Sequence, residues 1–129
     1  MSENDVVFTE RELDVMDILW EEGSGTVADV REALSDDLAY TTVLTILRTL
    51  ERKGYVAHRQ EGRAYRYHPL VERQAAQESH LRRLVRKLFS GSPAALLTHL
   101  VEEQDLSETE VRRLRSLLDD RLEVEDRLD

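Results

Sequence analysis

The spacing of the apolar residues changes at Gly54. Before this glycine, apolar side chains recur every three or four residues, the period of an α-helix, and after it they alternate with polar ones, the period of a β-strand. This change predicts helices first and a β-hairpin afterwards. The predicted elements are a helix at residues 9–22, a short helix that Thr26 caps, a helix at residues 40–53, and strands at residues 55–60 and 63–68.

Local signals mark the ends of these elements. Thr9 and Glu12 have the spacing of a capping box at the start of the first helix. Gly54 stands where a glycine commonly ends a helix, and Glu61-Gly62 is predicted to form the tight turn of the hairpin. Three short helices followed by a hairpin predict a winged helix-turn-helix. A small α+β domain of unrelated topology is the alternative.

The rest of the chain is predicted to be helical and to need a partner. A fourth helix carries an apolar stripe at helical spacing, made of Leu81, Leu84, Val85, Leu88 and Phe89. Ser92-Pro93 begins a fifth helix, and a capping box at residues 107–110 begins a sixth. Their apolar stripes are too narrow for an independent bundle, so we expect a second copy to cover them. The predicted dimer interface consists of Leu84, Leu88, Phe89, Leu96, Leu97, Leu100, Leu114, Leu117 and Leu118.

These elements define the expected fold class and domains. The fold is mainly α with a small β-hairpin. We predict a winged helix-turn-helix DNA-binding domain at residues 1–70 and a C-terminal helical dimerisation region at residues 71–129.

Charge is unevenly distributed along the chain. The whole sequence has a net charge of −9, yet residues 38–70 hold 6 basic and 2 acidic residues. Because binding responds to the local potential rather than to the total charge, this basic middle predicts an anionic partner.

The third predicted helix has two different faces. The side that is expected to pack on the core holds Val43, Ile46, Leu47 and Leu50. The opposite side is rich in threonine and arginine. Threonine is a mediocre helix former, whereas its short hydroxyl and methyl groups suit close approach to phosphates and thymine methyls. We interpret this side as a DNA-reading surface. An ordinary solvated polar face is the alternative.

The predicted hairpin adds a second basic surface. Its arginines would project from a wing beside the third helix, where DNA attracts positive charge, while Tyr67 is predicted to be a core residue. A solvated hairpin is the alternative. The predicted DNA-binding residues are Thr41, Thr42, Thr45, Arg48, Thr49, Arg52, Lys53, Arg59, Arg63, Tyr65 and Arg66.

Other functional classes lack their signals. The four histidines have no metal-ligand spacing, and the sequence contains no cysteine, no phosphate-binding glycine loop and no marked acid/base pair. We therefore predict no catalytic residues, no metal and no cofactor. The N-terminus lacks the apolar core of a signal peptide, and no apolar run reaches the length of a membrane span. The expected location is cytoplasmic, without direct membrane binding.

Several motifs resemble one known family. They are "ELDVMDILW" at residues 12–20, "TVADVREAL" at 26–34, "YTTVLTILRTLERKG" at 40–54 and "GRAYRYHP" at 62–69. With the tail "LFSGSPAALLTHLVEEQDLSETEVRRLRSLL", they resemble the penicillinase repressor (BlaI/MecI/CopY) family over about residues 8–120. The resemblance implies a homodimeric winged-helix repressor of a palindromic operator, often near genes for β-lactam resistance or copper handling. It places Thr42, Thr45, Lys53, Arg63 and Tyr65 on the recognition helix and wing.

The sequence also departs from the family pattern. Thr49 stands where members often carry arginine, with Arg48 displaced by one position, which implies a different operator sequence. The chain lacks the cysteine cluster of the copper-responsive branch. In the antibiotic-responsive branch a membrane sensor protease triggers cleavage, typically at an Asn-Phe bond, and the matching position here is His99-Leu100.

The partners implied are thus a double-stranded DNA operator, a second copy of the chain and a membrane sensor protease. The alternative function comes from another class. It is a winged-helix protein-interaction module whose basic patch docks an acidic partner without sequence-specific DNA binding.

Overall fold

The computed structural model describes residues 5–128, which divide into two compact units within the fourth helix, between Leu84 and Val85. The helices are α1 (Glu10–Glu22), α2 (Val27–Ala33), α3 (Tyr40–Arg52), α4 (Arg73–Leu88), α5 (Pro93–Glu103) and α6 (Glu108–Leu128). The strands are β1 (Gly25–Thr26), β2 (Val56–Glu61) and β3 (Ala64–Pro69). This mainly helical architecture with a small antiparallel sheet confirms the predicted fold class. The functional division at residue 70 stays a prediction.

Side-chain caps fix where the first two helices begin. The backbone N–H of Glu12 donates to Thr9 Oγ1 at 3.1 Å, and the N–H of Thr9 donates to Glu12 Oε1 at 2.8 Å. Thr26 and Asp29 repeat this reciprocal pattern at the start of α2, with both distances at 3.1 Å. Each pair satisfies two backbone donors that a helix N-terminus leaves without partners. The expected start of α1 is thereby confirmed.

The sheet contains one more strand than the sequence predicts. β3 lies in the middle and pairs antiparallel with β2 on one side and with β1 on the other. Glu61 pairs with Ala64, so Gly62 and Arg63 form the two-residue turn. The predicted turn at Glu61-Gly62 is therefore wrong by one residue, and both long strands begin one residue later than expected. Gly62 has a φ of 63°, the left-handed conformation that such turns require and glycine adopts freely.

The core of the first unit joins the three helices to the sheet. Its side chains with 2% exposure or less include Tyr67, which confirms its predicted core position. The N-terminal segment before α1 and the first half of α4 close the core from outside. The buried apolar residues are Val6, Phe8, Val15, Met16, Leu19, Val27, Val30, Val43, Leu47, Leu50, Val56, Tyr67 and Ala76.

The second unit buries much less. Ser92 Oγ accepts the N–H of Ala95 at 3.1 Å and starts α5, and Ser107 and Glu110 form the capping box that starts α6. Neither α5 nor α6 contains a buried residue. Within residues 5–128, none of the helices combines the length and the apolar content that crossing a bilayer would need.

Candidate nucleic-acid interface

One face of α3 is anchored in the core and the other is offered to solvent. Val43, Leu47 and Leu50 are fully buried. Because these residues recur every three or four positions, they fix the rotation of the helix and place the opposite side outside. The predicted DNA-binding residues of α3 that this rotation exposes are Thr41, Thr42, Thr45, Arg48 and Arg52, while Thr49 is half-buried.

Two threonine hydroxyls on α3 are already engaged as donors. Thr45 Oγ1 donates to the carbonyl oxygen of Thr41, and Thr49 Oγ1 donates to the carbonyl oxygen of Thr45, both at 2.9 Å. A hydroxyl that donates a hydrogen bond to a carbonyl oxygen of its own helix can act only as an acceptor toward other partners. Thr45 and Thr49 therefore present a methyl group and an acceptor, not a donor, to a molecule that approaches this face.

A groove lies between α3 and the wing, the hairpin formed by β2 and β3. Its volume is about 240 Å³, and it brings Arg48 of α3 close to Arg63 and Tyr65 of the wing. Three of the predicted DNA-binding residues thus share one concave surface. The groove is lined by Thr26, Val27, Ala28, Tyr40, Leu44, Arg48, Arg63, Ala64 and Tyr65.

Tyr40 is a member of this groove that the sequence prediction left out. Its ring is 48% exposed at the first turn of α3. The signal was present in the sequence, because Tyr40, Leu44 and Arg48 stand four residues apart and so lie on one strip of the helix. Because Leu44 is apolar and lies at the margin between the two faces, the sequence pattern alone does not assign this strip to the exposed face.

Lys53 has a partner inside the protein. Its Nζ lies 2.8 Å from Oε2 of Glu12, a residue that is only 4% exposed. Burial alone would raise the pKa of Glu12, but the hydrogen bonds from Lys53 and from Thr9 outweigh it and hold the pKa below its ordinary value. Lys53 therefore ties the C-terminal end of α3 to the N-terminal end of α1, and its predicted DNA contact stays a prediction.

Arg66 is also held within the protein. Its guanidinium pairs with the carboxylates of Glu61 and Asp29 and donates to Ser24 Oγ at 3.3 Å. The hydrogen bond from Arg66 lowers the pKa of Glu61. Two carboxylates offset the positive charge of Arg66, so its contribution to the potential of the wing is small.

The remaining arginines of this surface are not neutralised in this way. Within residues 5–128, Arg48, Arg52, Arg59 and Arg63 form no ion pair. Positive charge that lacks an internal counterion attracts phosphates most strongly. These four arginines carry the electrostatic part of the candidate interface.

The predicted dimer residues lie in α4, α5 and α6, apart from Phe89, which directly follows α4. In a single copy Leu84, Leu88, Leu100, Leu117 and Leu118 are exposed, and Phe89, Leu96, Leu97 and Leu114 are half-buried. The predicted cleavage site, His99-Leu100, lies inside α5. A protease needs an extended backbone, so cleavage there would require this part of α5 to unfold first. Both assignments stay predictions.

The three short helices α1 to α3, a three-stranded sheet and a basic surface beside a threonine-rich helix define a winged-helix DNA-binding protein. The oxidised form of MarR from E. coli has a similar fold, with a TM-score of 0.51, 19% identity, and coverage of 89% of this chain and 76% of that chain. A family model, "Penicillinase repressor", matches residues 8–120. The chain belongs to the penicillinase repressor family.

Two curated relatives agree with this assignment. The chain is 40% identical over 103 residues to "Transcriptional regulator BlaI" of Mycobacterium tuberculosis, which covers 77% of this chain and 75% of that protein. It is 26% identical over 109 residues to "Methicillin resistance regulatory protein MecI" of Staphylococcus aureus, which covers 83% and 89%. The protein is a DNA-binding transcriptional repressor and not an enzyme.

Proposed function

We propose that the protein represses transcription as a homodimer on a pseudo-palindromic operator. The observation that carries this proposal is the apolar surface of α5 and α6, which contain no buried residue in a single copy. Stable interfaces typically cover about 800 Å² on each partner. A two-fold dimer would cover this surface and account for its composition. Its exposed apolar residues include Leu100, Val101, Val111, Leu117, Leu118, Leu122 and Val124.

In this dimer each copy reads one half-site. The two α3 helices would enter successive major grooves, roughly 34 Å apart, while the two wings lie along the backbone. We propose that base and phosphate contacts come from Thr41, Thr42, Thr45, Arg48, Thr49, Arg52, Arg59, Arg63 and Tyr65, with Tyr40 added from the groove. Lys53 and Arg66 are expected to contribute mainly through the internal ion pairs that hold α3 and the wing in place.

Salt dependence and footprinting together test the dimer on its operator. If two copies neutralise about eight phosphates, log K should fall with log salt at a slope of about −7. Footprinting should show two protected half-sites about one helical turn apart. A salt-independent affinity, or protection of a single half-site, would contradict the proposal.

Thr45 is expected to read bases through its methyl group. Its hydroxyl already donates a hydrogen bond to the carbonyl oxygen of Thr41, and valine would keep the methyl group. Thr45→Val should therefore keep the base preference, whereas Thr45→Ala should relax it roughly tenfold at one position of each half-site. Selection of bound duplexes from a randomised pool measures both variants. If Thr45→Val relaxed the preference as much as Thr45→Ala, the hydroxyl and not the methyl would be the reader.

The proposal extends to the regulated genes and to the release of the repressor. We propose that the protein represses resistance-type genes in the cytoplasm, and that a membrane sensor protease relieves repression by triggering cleavage at His99-Leu100. Family membership supports this extension. A gene for such a protease beside this one would support that extension, and its absence would count against it. The protein-interaction module is not favoured, since the relatives are transcriptional regulators.

A further inference from the structure

Glu51 is an unexpected residue on the DNA-facing helix. It is the single acid between Tyr40 and Gly54, and phosphates would repel its charge. The structure gives this carboxylate a partner on the wing. His58 Nδ1 lies 2.8 Å from Oε1 and 2.6 Å from Oε2 of Glu51, so a hydrogen bond connects α3 directly to β2.

The contact continues from His58 into the groove. The imidazole ring lies 4.4 Å from the ring of Tyr65 and 5.5 Å from the ring of Tyr67, measured between centroids. Tyr67 is buried and fixed in the core, whereas Tyr65 is 46% exposed and lines the groove with Arg48 and Arg63. A continuous chain of contacts therefore runs from Glu51 of α3 through His58 to Tyr65 in the groove wall.

We propose that Glu51 and His58 are positioning residues for DNA binding, which set the distance between the recognition helix and the wing without touching DNA themselves. The bridge fixes the position of Tyr65, and with it that of Arg63 on the same hairpin, relative to Arg48 on α3. This inference rests on the DNA-binding function, but not on the dimer, because the bridge lies within one winged-helix unit.

The direction in which DNA affinity changes when Glu51 is removed tests this proposal. Removing an acid near DNA strengthens binding when only charge matters, because repulsion of phosphates is lost. Glu51→Ala is expected to do the opposite and weaken binding roughly tenfold, since residues that act as a unit couple at this level. Asp37→Ala is the matched control. Asp37 is exposed in the turn before α3 and forms no ion pair within residues 5–128, so its removal should leave affinity unchanged or slightly raise it.

Coupling between the two residues, and rescue by a conservative substitution, separate positioning from a general loss of stability. His58→Ala should weaken binding as much as Glu51→Ala, and the double variant should be no worse than either. His58→Gln keeps an N–H donor for the Glu51 carboxylate and should restore part of the binding that His58→Ala loses.

The measurement is fluorescence anisotropy with the full chain and a duplex that the wild-type protein selects from a randomised pool. Thermal unfolding of each variant checks that it is folded. If Glu51→Ala fails to fold, Glu51→Gln replaces it and should also weaken binding. Binding by the folded Glu51 variant that equals or exceeds wild type, or additive effects in the double variant, would overturn the proposal. If wild-type protein bound single half-sites as a monomer, the proposed dimer would be wrong. The comparison of the Glu51 and His58 variants with wild type would still test the bridge.

Discussion

Replacing Leu118 with glutamate is expected to make the protein monomeric and to weaken operator binding by roughly 100-fold. Leu118 is 51% exposed in a single copy and lies on the same side of α6 as Leu114 and Leu122. In the proposed dimer the substitution would place two carboxylates in an apolar interface, at a cost of several kcal/mol unless they are paired. A monomer contacts only one half-site and loses the 10²–10⁴-fold gain in affinity that two linked binding sites typically provide. We expect a loss of about 100-fold, the lower end of that range.

Ser116→Glu is the matched control for this variant. Ser116 is exposed and lies on the opposite side of α6, two residues away, so it adds the same charge outside the proposed interface. Sedimentation should report a dimer for the control and a monomer for Leu118→Glu, and gel shifts should follow the same order. A Leu118→Glu protein that stays dimeric would place the interface elsewhere. A monomer with unchanged operator affinity would show that dimerisation is not needed for binding.

The sequence predicts the helices well because their signals are local. The capping box of α1 is complete within Thr9 to Glu12, and the buried stripe of α3 is complete within about two helical turns, from Val43 to Leu50. The two-residue strand β1 has no such signal. It is too short to show alternation, and it exists only because β3, far along the chain, provides hydrogen-bond partners. The hairpin turn was misplaced by one residue because both Glu61 and Arg63 are compatible with a turn beside Gly62.

The sequence predicts where the candidate site lies, but not which of its basic residues form ion pairs within the protein. Charge alone assigns Lys53 and Arg66 to DNA along with the other basic residues. Which of them is neutralised depends on carboxylates that folding brings close, such as Glu12, which is 41 residues from Lys53 in sequence. The bridge between Glu51 and His58 depends in the same way on how the hairpin folds back on α3. Tertiary contacts therefore decide which cations of the basic segment remain available for phosphates.

Replacing Leu47 with alanine is expected to destabilise the winged-helix unit by about 3 kcal/mol. Leu47 has 0% exposure at the centre of the buried side of α3. Its removal leaves a cavity where the recognition helix meets the core, and close-packed neighbours relax into such a space only in part. For a unit of this size the loss corresponds to a fall in melting temperature of roughly 15 °C.

Leu47→Met provides the control, because a swap that conserves volume costs less than about 1.5 kcal/mol. Urea unfolding, followed by circular dichroism, measures both variants. DNA binding provides a second comparison. Below its melting temperature the folded Leu47→Ala protein should bind the selected duplex almost as well as wild type, because Leu47 lies on the buried side of α3. A destabilisation below 1 kcal/mol would mean that α3 is not anchored through Leu47. Weak binding by the fully folded variant would mean that packing on the buried side of α3 also determines the position of its DNA-binding residues.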